Sequence, residues 1–165
     1  MKVIYLTQAQ IALVDDRDFE LLNKRKWCIL KSGRDFPYAV RWEWNKEYKR
    51  SFLILMHRAI MDLNYGDKKQ VDHINGNGLD NRRTNLRICT ITQNRRNSAP
   101  FIGTSKYKGV SWSNHKKKWR VQIFYGGRLK HLGYFDIEEI AAQIYNNAAL
   151  KHFGEFARLN KINYL

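Results

Sequence analysis

An aspartate and a histidine stand side by side near the middle of this chain, in a setting suited to phosphodiester hydrolysis. Asp72 and His73 precede a loop rich in Asn and Gly, and Asn94 follows further along the chain. A neutral His can act as a general base near pH 7. Asp72 offers a carboxylate and Asn94 an amide oxygen, and oxygen atoms are the ligands that Mg²⁺ prefers. Because their summed charge is only −1, a bound Mg²⁺ would stay positive and attract a phosphate.

A strand, a loop, a second strand and a helix would have to position these groups. Residues 75–78, Asn-Gly-Asn-Gly, suit tight turns, and residues 86–88 alternate as a short strand. Thr90 can cap a helix that carries Asn94 and Asn97 on one side. Adjacent residues on a regular strand point to opposite faces. The Asp-His pair can therefore share one site only if the backbone bends there.

An isolated Asp-His pair usually has no catalytic function, and Asn residues usually just form turns, so only the combined pattern indicates a nuclease. That pattern resembles the HNH endonucleases, and it is closest to the phage and intron homing type with the ββα-metal fold. The resemblance covers roughly residues 53–97. It is carried by His57, residues 71–77 (Val-Asp-His-Ile-Asn-Gly-Asn), residues 81–87 (Asn-Arg-Arg-Thr-Asn-Leu-Arg) and Asn94.

The resemblance implies a role for each matching residue. By position, His73 is the general base, Asp72 and Asn94 bind one Mg²⁺ (or Mn²⁺), and Asn85 braces the loop that presents the His. The family often has a His near the end of the helix, where this chain has Asn97. Arginines around the site could clamp DNA phosphates through forked hydrogen bonds. The candidates are Arg82, Arg83, Arg87 and Arg95, with Arg96 beside them.

Residues 106–160 predict a second unit of three strands and one helix. Residues 107–112, 118–125 and 128–135 have strand composition, and Gly126-Gly127 predicts a hairpin turn. In the central strand, alternation places Trp119, Val121 and Ile123 inward, and Arg120 and Gln122 outward. The helix that follows should begin with a capping box and cover the sheet with an apolar stripe. The capping box is Asp136 with Glu139, and the stripe is Ile137, Ile140, Ala141, Ile144, Tyr145 and Ala148, with Gly154 at the helix end.

This second unit resembles the APETALA-type (ethylene-response-factor) DNA-binding domain. The resembling residues are Tyr107-Lys108-Gly109-Val110, Trp119-Arg120-Val121, Leu132-Gly133-Tyr134-Phe135, Ala141-Ala142, Tyr145-Asn146 and residues 154–160. The resemblance implies a sheet that lies in the DNA major groove. Matching DNA-contacting positions are Lys108, Trp112, Ser113, Arg120, Gln122 and His131.

The overall charge fits a polyanionic partner. The 165 residues include 30 Lys plus Arg against 15 Asp plus Glu, a formal charge of +15, and nucleic acid is the first candidate. A solvated surface or a membrane-binding face would be the alternatives, but no apolar run is long enough for a transmembrane helix. Cys28 and Cys89 are too few for a disulfide framework, so we expect a reducing, intracellular setting such as the host cytoplasm.

Residues 1–56 read as mostly strand with one short helix, capped by an Asp in 15–18 and running from Phe19 to Lys26. A structural sheet flanking the nuclease core is the simpler interpretation. The alternative is that Arg41, Lys49 or Arg50 contacts phosphates. A short helix, 57–63, follows with His57 at its start, where a lone His is more often structural than catalytic.

Together these patterns predict an α+β protein with a β-rich segment (1–56), an HNH ββα-metal core (57–98), a linker (99–105) and an APETALA-type unit (106–160). The predicted function is a site-recognising, metal-dependent endonuclease that acts on double-stranded DNA as a monomer. A single active site favours nicking. A non-cleaving DNA-binding regulator and an RNA-binding protein are the alternatives.

Overall fold

The computed structural model describes residues 1–32, 36–100 and 103–163. It divides into two compact units, Met1–Asn94 and Arg95–Leu165. Helices and antiparallel sheets are mixed along the chain, which confirms the α+β class. Among the described residues, no helix is both long enough and apolar enough to cross a membrane.

The first unit is built from short antiparallel sheets joined by short helices. In chain order the elements are β1 (Lys2–Tyr5), β2 (Ile11–Val14), α1 (Asp16–Asn23), β3 (Cys28–Ser32), β4 (Phe36–Asn45), β5 (Arg50–Leu55), α2 (Met56–Ile60), β6 (Gln70–His73), β7 (Leu86–Cys89) and α3 (Ile91–Arg96). In the described sheets, β1 pairs with β2, β4 pairs with both β3 and β5, and β6 pairs with β7. The boundary with the second unit falls inside α3.

One hydrophobic core runs through the first unit. Val14 and Trp27 from the N-terminal segment are buried in the same cluster as Met56, Val71 and Leu86. The N-terminal segment therefore shares its core with the strands that carry the candidate site. Removing it would expose the apolar faces of those strands.

The predicted start of the first helix is three residues late. Helix α1 begins at Asp16, and its N-cap residue, Asp15, makes no side-chain capping bond. Asp15 Oδ2 instead accepts a hydrogen bond of 2.8 Å from the backbone N–H of Arg83. A long-range partner has replaced the local cap. The turn predicted at Ser32-Gly33-Arg34 falls mostly outside the described residues.

The second unit packs one helix on a three-stranded antiparallel sheet. Its elements are β8 (Val110–Ser113), β9 (Lys118–Tyr125), β10 (Arg128–Phe135) and α4 (Glu138–Phe153), with β9 in the centre. Gly126 and Gly127 have φ angles of 59° and 75°, which suit the predicted two-residue turn. Val121 and Ile123 are buried against α4, as the alternation predicts.

The predicted capping box of α4 is wrong. The helix begins at Glu138, and its N-cap is Ile137, without a side-chain cap. The Asp136 carboxylate lies 3.1 Å from the ammonium of Lys118 on β9. Asp136 therefore pairs with Lys118 and does not cap α4.

The predicted apolar stripe of α4 is confirmed in part, because Ala141 and Tyr145 are buried and Ile144 and Ala148 pack against the core. Ile137 and Ile140 are 52% and 48% exposed. The buried positions include Ala142, Ala149 and Phe153. Small alanines let the helix approach the sheet closely, and this close contact decides which side of the helix faces inward.

Candidate active site

Asn85 cross-links the loop between β6 and β7. Its buried Nδ2 donates to the backbone oxygen of Asp80 at 2.8 Å and to Asn75 Oδ1 at 3.0 Å, and its Oδ1 accepts from Asn75 N at 3.0 Å. The backbone oxygen of Asn85 accepts from Ile74 N at 2.9 Å. One side chain therefore fixes both ends of residues 75–80. This geometry matches the brace implied by the resemblance, and its catalytic importance stays a prediction.

The loop is shaped by side-chain turns and a close approach to β4. Asn75 Oδ1 accepts from Asn77 N at 2.8 Å, and Asn75 Nδ2 donates to Asp80 Oδ2 at 2.9 Å. Gly78 lies so close to β4 that a Cβ atom there would collide with the backbone of Pro37 and the ring of Tyr38. The loop is therefore pressed against the sheet of the N-terminal segment.

The N-terminal hairpin also holds this loop through backbone bonds. Leu13 N donates to Leu79 O, and Asn81 N donates to Leu13 O, each at 2.8 Å. Asp18 of α1 receives Nε and Nη2 of Arg83 at 2.9 and 2.8 Å. Residues 13–18 thus anchor the far end of the loop, a function that the sequence did not indicate.

Asn81 sets the orientation of the His73 ring. His73 is 6% exposed, and its Nε2 lies 3.3 Å from Asn81 Oδ1. Asn81 Nδ2 lies 3.4 Å from Gly78 O, so the amide must direct its oxygen to the His. In this arrangement Nε2 of His73 carries the proton, and Nδ1 is the basic nitrogen.

The surroundings of His73 favour its neutral form. Burial lowers the pKa of His73 from its ordinary 6.5, while the bond to Asn81 and the carboxylates of Asp72 and Asp80 oppose that shift. At neutral pH the imidazole is thus mainly uncharged. This is the protonation state that a general base requires.

Two further rings pack against the His73 side chain. The His57 ring lies 4.9 Å from it in a T-shaped contact, and Tyr38 packs against both rings, at 5.5 Å from His57 and 5.9 Å from His73. Burial lowers the pKa of His57 to about 3, with the neighbouring His73 and Arg58 adding to the shift. Among the described residues, no partner lies within hydrogen-bonding distance of His57 Nδ1. His57 therefore acts as a neutral packing ring.

His57 should make the protein sensitive to acid. Its folded-state pKa of about 3 lies below the ordinary 6.5, so below pH 6.5 the unfolded chain binds a proton that the folded chain excludes. Stability is then lost as pH falls, by about 1.4 kcal/mol per pH unit. We expect His57→Leu to remove about 2 kcal/mol of the loss between pH 7 and pH 5 in urea unfolding. The exposed His115→Leu is the control, and an unchanged loss in His57→Leu would contradict the assignment.

Asp72 forms a largely buried ion pair across β6 and β7. It lies directly opposite Arg87 in the β6–β7 register, and its Oδ2 accepts from Arg87 Nε at 2.9 Å and Nη2 at 2.6 Å. The Asp72 and Arg87 side chains are 6% and 12% exposed. Asp72 points to Arg87 while His73 points to Asn81, yet the Asp72 carboxylate still acts electrostatically on the His73 ring.

Asn94 is brought to the Asp72 side of β6 by Gln70. Thr90 and Gln93 start α3 with a reciprocal cap, in which Thr90 N donates to Gln93 Oε1 at 2.8 Å and Gln93 N donates to Thr90 Oγ1 at 3.2 Å. Asn94, on the first turn of that helix, donates its Nδ2 to Gln70 Oε1 at 2.7 Å. Gln70 and Asp72 are two residues apart and share one face of the strand. Because the Asn94 nitrogen faces Gln70, its oxygen is the end available to a cation.

This donor set fits a hard divalent cation. It consists of one carboxylate and one amide oxygen, and the described residues contain no group of three or more His, Cys, Asp and Glu that could hold a metal. Mg²⁺ is commonly bound by one or two protein oxygens, with water and substrate phosphate completing its shell. Structural and catalytic zinc sites use more nitrogen and sulfur ligands. The buried Cys89 has its pKa raised to about 11 by desolvation, so it stays a neutral thiol.

Three predicted phosphate clamps, Arg82, Arg83 and Arg87, have carboxylate partners, and the Arg87–Asp72 pair is described above. Arg82 donates Nε and Nη2 to Asp80 at 2.7 and 2.6 Å, which holds the pKa of that carboxyl below its usual range. Arg83 is paired with Asp18. Arg95 is exposed. DNA contact by these arginines stays a prediction, and Arg82 and Arg83 also stabilise the loop and its anchor.

In the second unit, the sheet face opposite α4 shows three cross-strand rows. Arg120 faces Tyr134, Gln122 faces His131, and Phe124 faces Leu129. Arg120 also donates Nε and Nη2 to Ser111 Oγ, each at 3.3 Å. Along this face, a cation is followed by hydrogen-bonding groups and then by an exposed apolar pair. The sequence interpretation did not include this apolar pair.

Two predicted DNA-contacting residues of this unit do not lie on that face. Lys108 Nζ donates to the backbone oxygens of Arg96 and Ser98 at 2.7 and 2.6 Å, and burial lowers its pKa to about 8. Trp112 is paired with Trp119, on the side of the sheet that α4 covers, and the rings lie 5.1 Å apart. DNA contact by Lys108 and Trp112 is thus less consistent with their positions than contact by Arg120, Gln122 and His131.

Comparison with known proteins places these features among nucleases. Residues 55–96 match the family described as HNH endonuclease. An uncharacterized HNH endonuclease of Acanthamoeba polyphaga mimivirus is 30% identical over 98% of this chain and 83% of its own length. Protein 3.8 of Escherichia phage T7 is 36% identical over 53% of this chain and 73% of its own length. An ethylene-responsive transcription factor of Arabidopsis thaliana is 36% identical over 40% of this chain but only 16% of its own length.

Proposed function

The chain belongs to the HNH endonuclease family, and on this basis we propose that it hydrolyses phosphodiester bonds in double-stranded DNA with one Mg²⁺ or Mn²⁺. The observation that carries the proposal is the buried, neutral His73. Its ring is oriented by Asn81 and lies within electrostatic reach of Asp72. We further propose, from the resemblance to phage and intron enzymes, that the enzyme is of the homing type. We also propose that it nicks one strand, because the described residues carry one such site.

Each residue of the site has a distinct task in this mechanism. His73 Nδ1 accepts a proton from the attacking water, and Asn81 stabilises the imidazolium that forms by accepting from Nε2–H. Asp72 and Asn94 would hold the cation, while Asn85 keeps the loop in place. The divalent cation, when bound, supplies positive charge to the phosphate and to the leaving oxygen. The wall of His57 and Tyr38 keeps the His73 ring in one orientation and limits access of bulk water.

The open sheet face of the second unit is proposed to select or anchor the DNA site. Residues 101–165 carry 11 basic against 4 acidic residues. A two-stranded ribbon fits the major groove of DNA, and α4 leaves the other face of the sheet open. The partial similarity to an ethylene-responsive transcription factor supports this proposal.

Cleavage of plasmid DNA tests the proposed function directly. Supercoiled plasmid carrying host DNA should be converted to open circles by the purified protein in Mg²⁺, and EDTA should prevent the conversion. Linear product without an open-circle intermediate would contradict nicking. Tight binding of host-derived DNA with no cleavage in Mg²⁺ or Mn²⁺ would favour the non-cleaving regulator.

Arg120→Ala should weaken recognition without changing the chemistry. An Arg contact to a base edge contributes about 1–3 kcal/mol of discrimination, so the preference for a selected site over unrelated DNA should fall roughly 5- to 150-fold. Sites would first be selected from random duplexes by the wild-type protein, and affinities for selected and scrambled DNA then compared. Lys116→Ala, which removes an exposed charge in a turn, should lower both affinities together. Equal behaviour of the two variants would argue against base reading by Arg120.

A further inference from the structure

We propose that Arg87 keeps the cation site weak until DNA is present, so that metal and DNA bind cooperatively. The inference rests on the proposed function. It starts from one contact: two N–H groups of Arg87 bind Oδ2 of Asp72, the only charged ligand in the donor set. The Asp72 side chain is buried, and the Arg87 side chain is 12% exposed. In the free protein the negative charge of the site is therefore already matched by a guanidinium.

Charge at the site decides how strongly a divalent cation is held. With Arg87 beside Asp72, the two side chains sum to zero, and an incoming cation meets a positive neighbour. Because the pair is buried, solvent screens this repulsion less than at an exposed site. Asn94 adds a dipole but no charge. A site of this composition should bind Mn²⁺ or Mg²⁺ weakly on its own.

A DNA phosphate would supply both the negative charge and the additional oxygen ligands that this site lacks. Each phosphate adds one negative charge, and its oxygens can complete the coordination shell of the cation. A phosphate is also a good acceptor for the forked donors of Arg87. DNA would thus offset the positive charge of Arg87 at the moment when the cation is required, and free protein would carry little bound metal.

A purely orienting role for Arg87 makes the opposite prediction. If Arg87 only holds Asp72 in the correct rotamer, its removal should loosen the ligand and weaken metal binding. If Arg87 opposes the cation, its removal should strengthen metal binding. The sign of the change in metal affinity therefore separates the two explanations, independently of cleavage.

The test compares Mn²⁺ binding by two proteins, one with Arg87→Gln and one that keeps Arg87. Binding is measured by electron paramagnetic resonance with and without a DNA duplex. Both proteins carry His73→Ala so that the DNA is not cut. With Arg87 present, DNA should tighten Mn²⁺ binding about tenfold or more. In Arg87→Gln, binding without DNA should be about tenfold tighter, and the effect of DNA should shrink. The control is Lys2→Gln, which removes a cation from a carboxylate pair elsewhere in the same unit and should leave Mn²⁺ affinity unchanged.

Equal or weaker Mn²⁺ binding in Arg87→Gln would overturn the inference. If Arg87→Gln does not fold by circular dichroism, Arg87→Met fills similar space without charge, and the same two outcomes apply to it. Mg²⁺-dependent plasmid cleavage by the wild-type protein separates this failure from failure of the proposed function. If the wild-type protein cleaves DNA but Arg87→Gln does not bind Mn²⁺ more tightly, only the inference about Arg87 fails. Absence of both cleavage and DNA-dependent Mn²⁺ binding in proteins with Arg87 removes both.

Discussion

Replacing His73 with alanine is expected to slow DNA cleavage by about 10²- to 10⁴-fold, the usual contribution of a positioned general base. The ring is buried, oriented by Asn81 through Nε2 and kept mainly neutral at pH 7. No water molecule can take over this proton transfer with the same basicity and position. The measurement is the initial rate of loss of supercoiled plasmid in Mg²⁺.

The pH dependence of the wild-type rate gives a second measure of the same assignment. The pKa of His73 is lowered from 6.5, chiefly by burial, so the base stays competent above that value. The rate should fall only as pH drops below about 6.5, through the lowered folded-state pKa. His115→Ala, a change at an exposed turn, should leave the rate and its profile unchanged. A folded His73→Ala protein that cleaves at the wild-type rate would assign the base elsewhere.

Local features of the site could be read from the sequence because their partners are close in the chain. Asn75 and Asn77 form side-chain turns two residues long, and Thr90 and Gln93 form a cap three residues long. Gly126-Gly127 marks a hairpin whose turn requires positive φ. In each case the residue type dictates a conformation at its own position, so no knowledge of the rest of the fold is needed.

The long-range contacts that hold the site in place could not be predicted in this way. Arg83 pairs with Asp18, 65 positions earlier, and Leu13 joins residues 79–81 through backbone atoms that have no sequence signature. With 30 basic and 15 acidic residues, composition does not select among the many possible pairs. Arg87 has the residue type of a phosphate clamp, yet the strand register alone places it opposite Asp72. The sequence therefore predicts candidate reacting groups, whereas the contacts that position them become visible only in the fold.

Asp72→Asn is expected to reduce both cleavage and stability. The change removes the only charged ligand of the proposed cation, so cleavage should fall by about 10²-fold or more. It also removes the carboxylate charge that is paired with the largely buried Arg87 guanidinium. Breaking a buried ion pair from one side destabilises a protein by about 3–5 kcal/mol, and asparagine retains one acceptor, so we expect a loss near the lower end of that range. Urea unfolding measures the stability, and plasmid cleavage measures the activity.

The double variant Asp72→Asn/Arg87→Gln separates these two effects. Without the guanidinium no unpaired charge is buried, so stability should recover most of what Asp72→Asn lost, while cleavage stays low because the ligand is still missing. Asp136→Asn breaks an exposed ion pair and should change neither quantity appreciably. If the double variant regained cleavage, the carboxylate would not be a ligand, and its function would be to neutralise Arg87. If it regained neither, Asp72 would stabilise the site through contacts other than this ion pair.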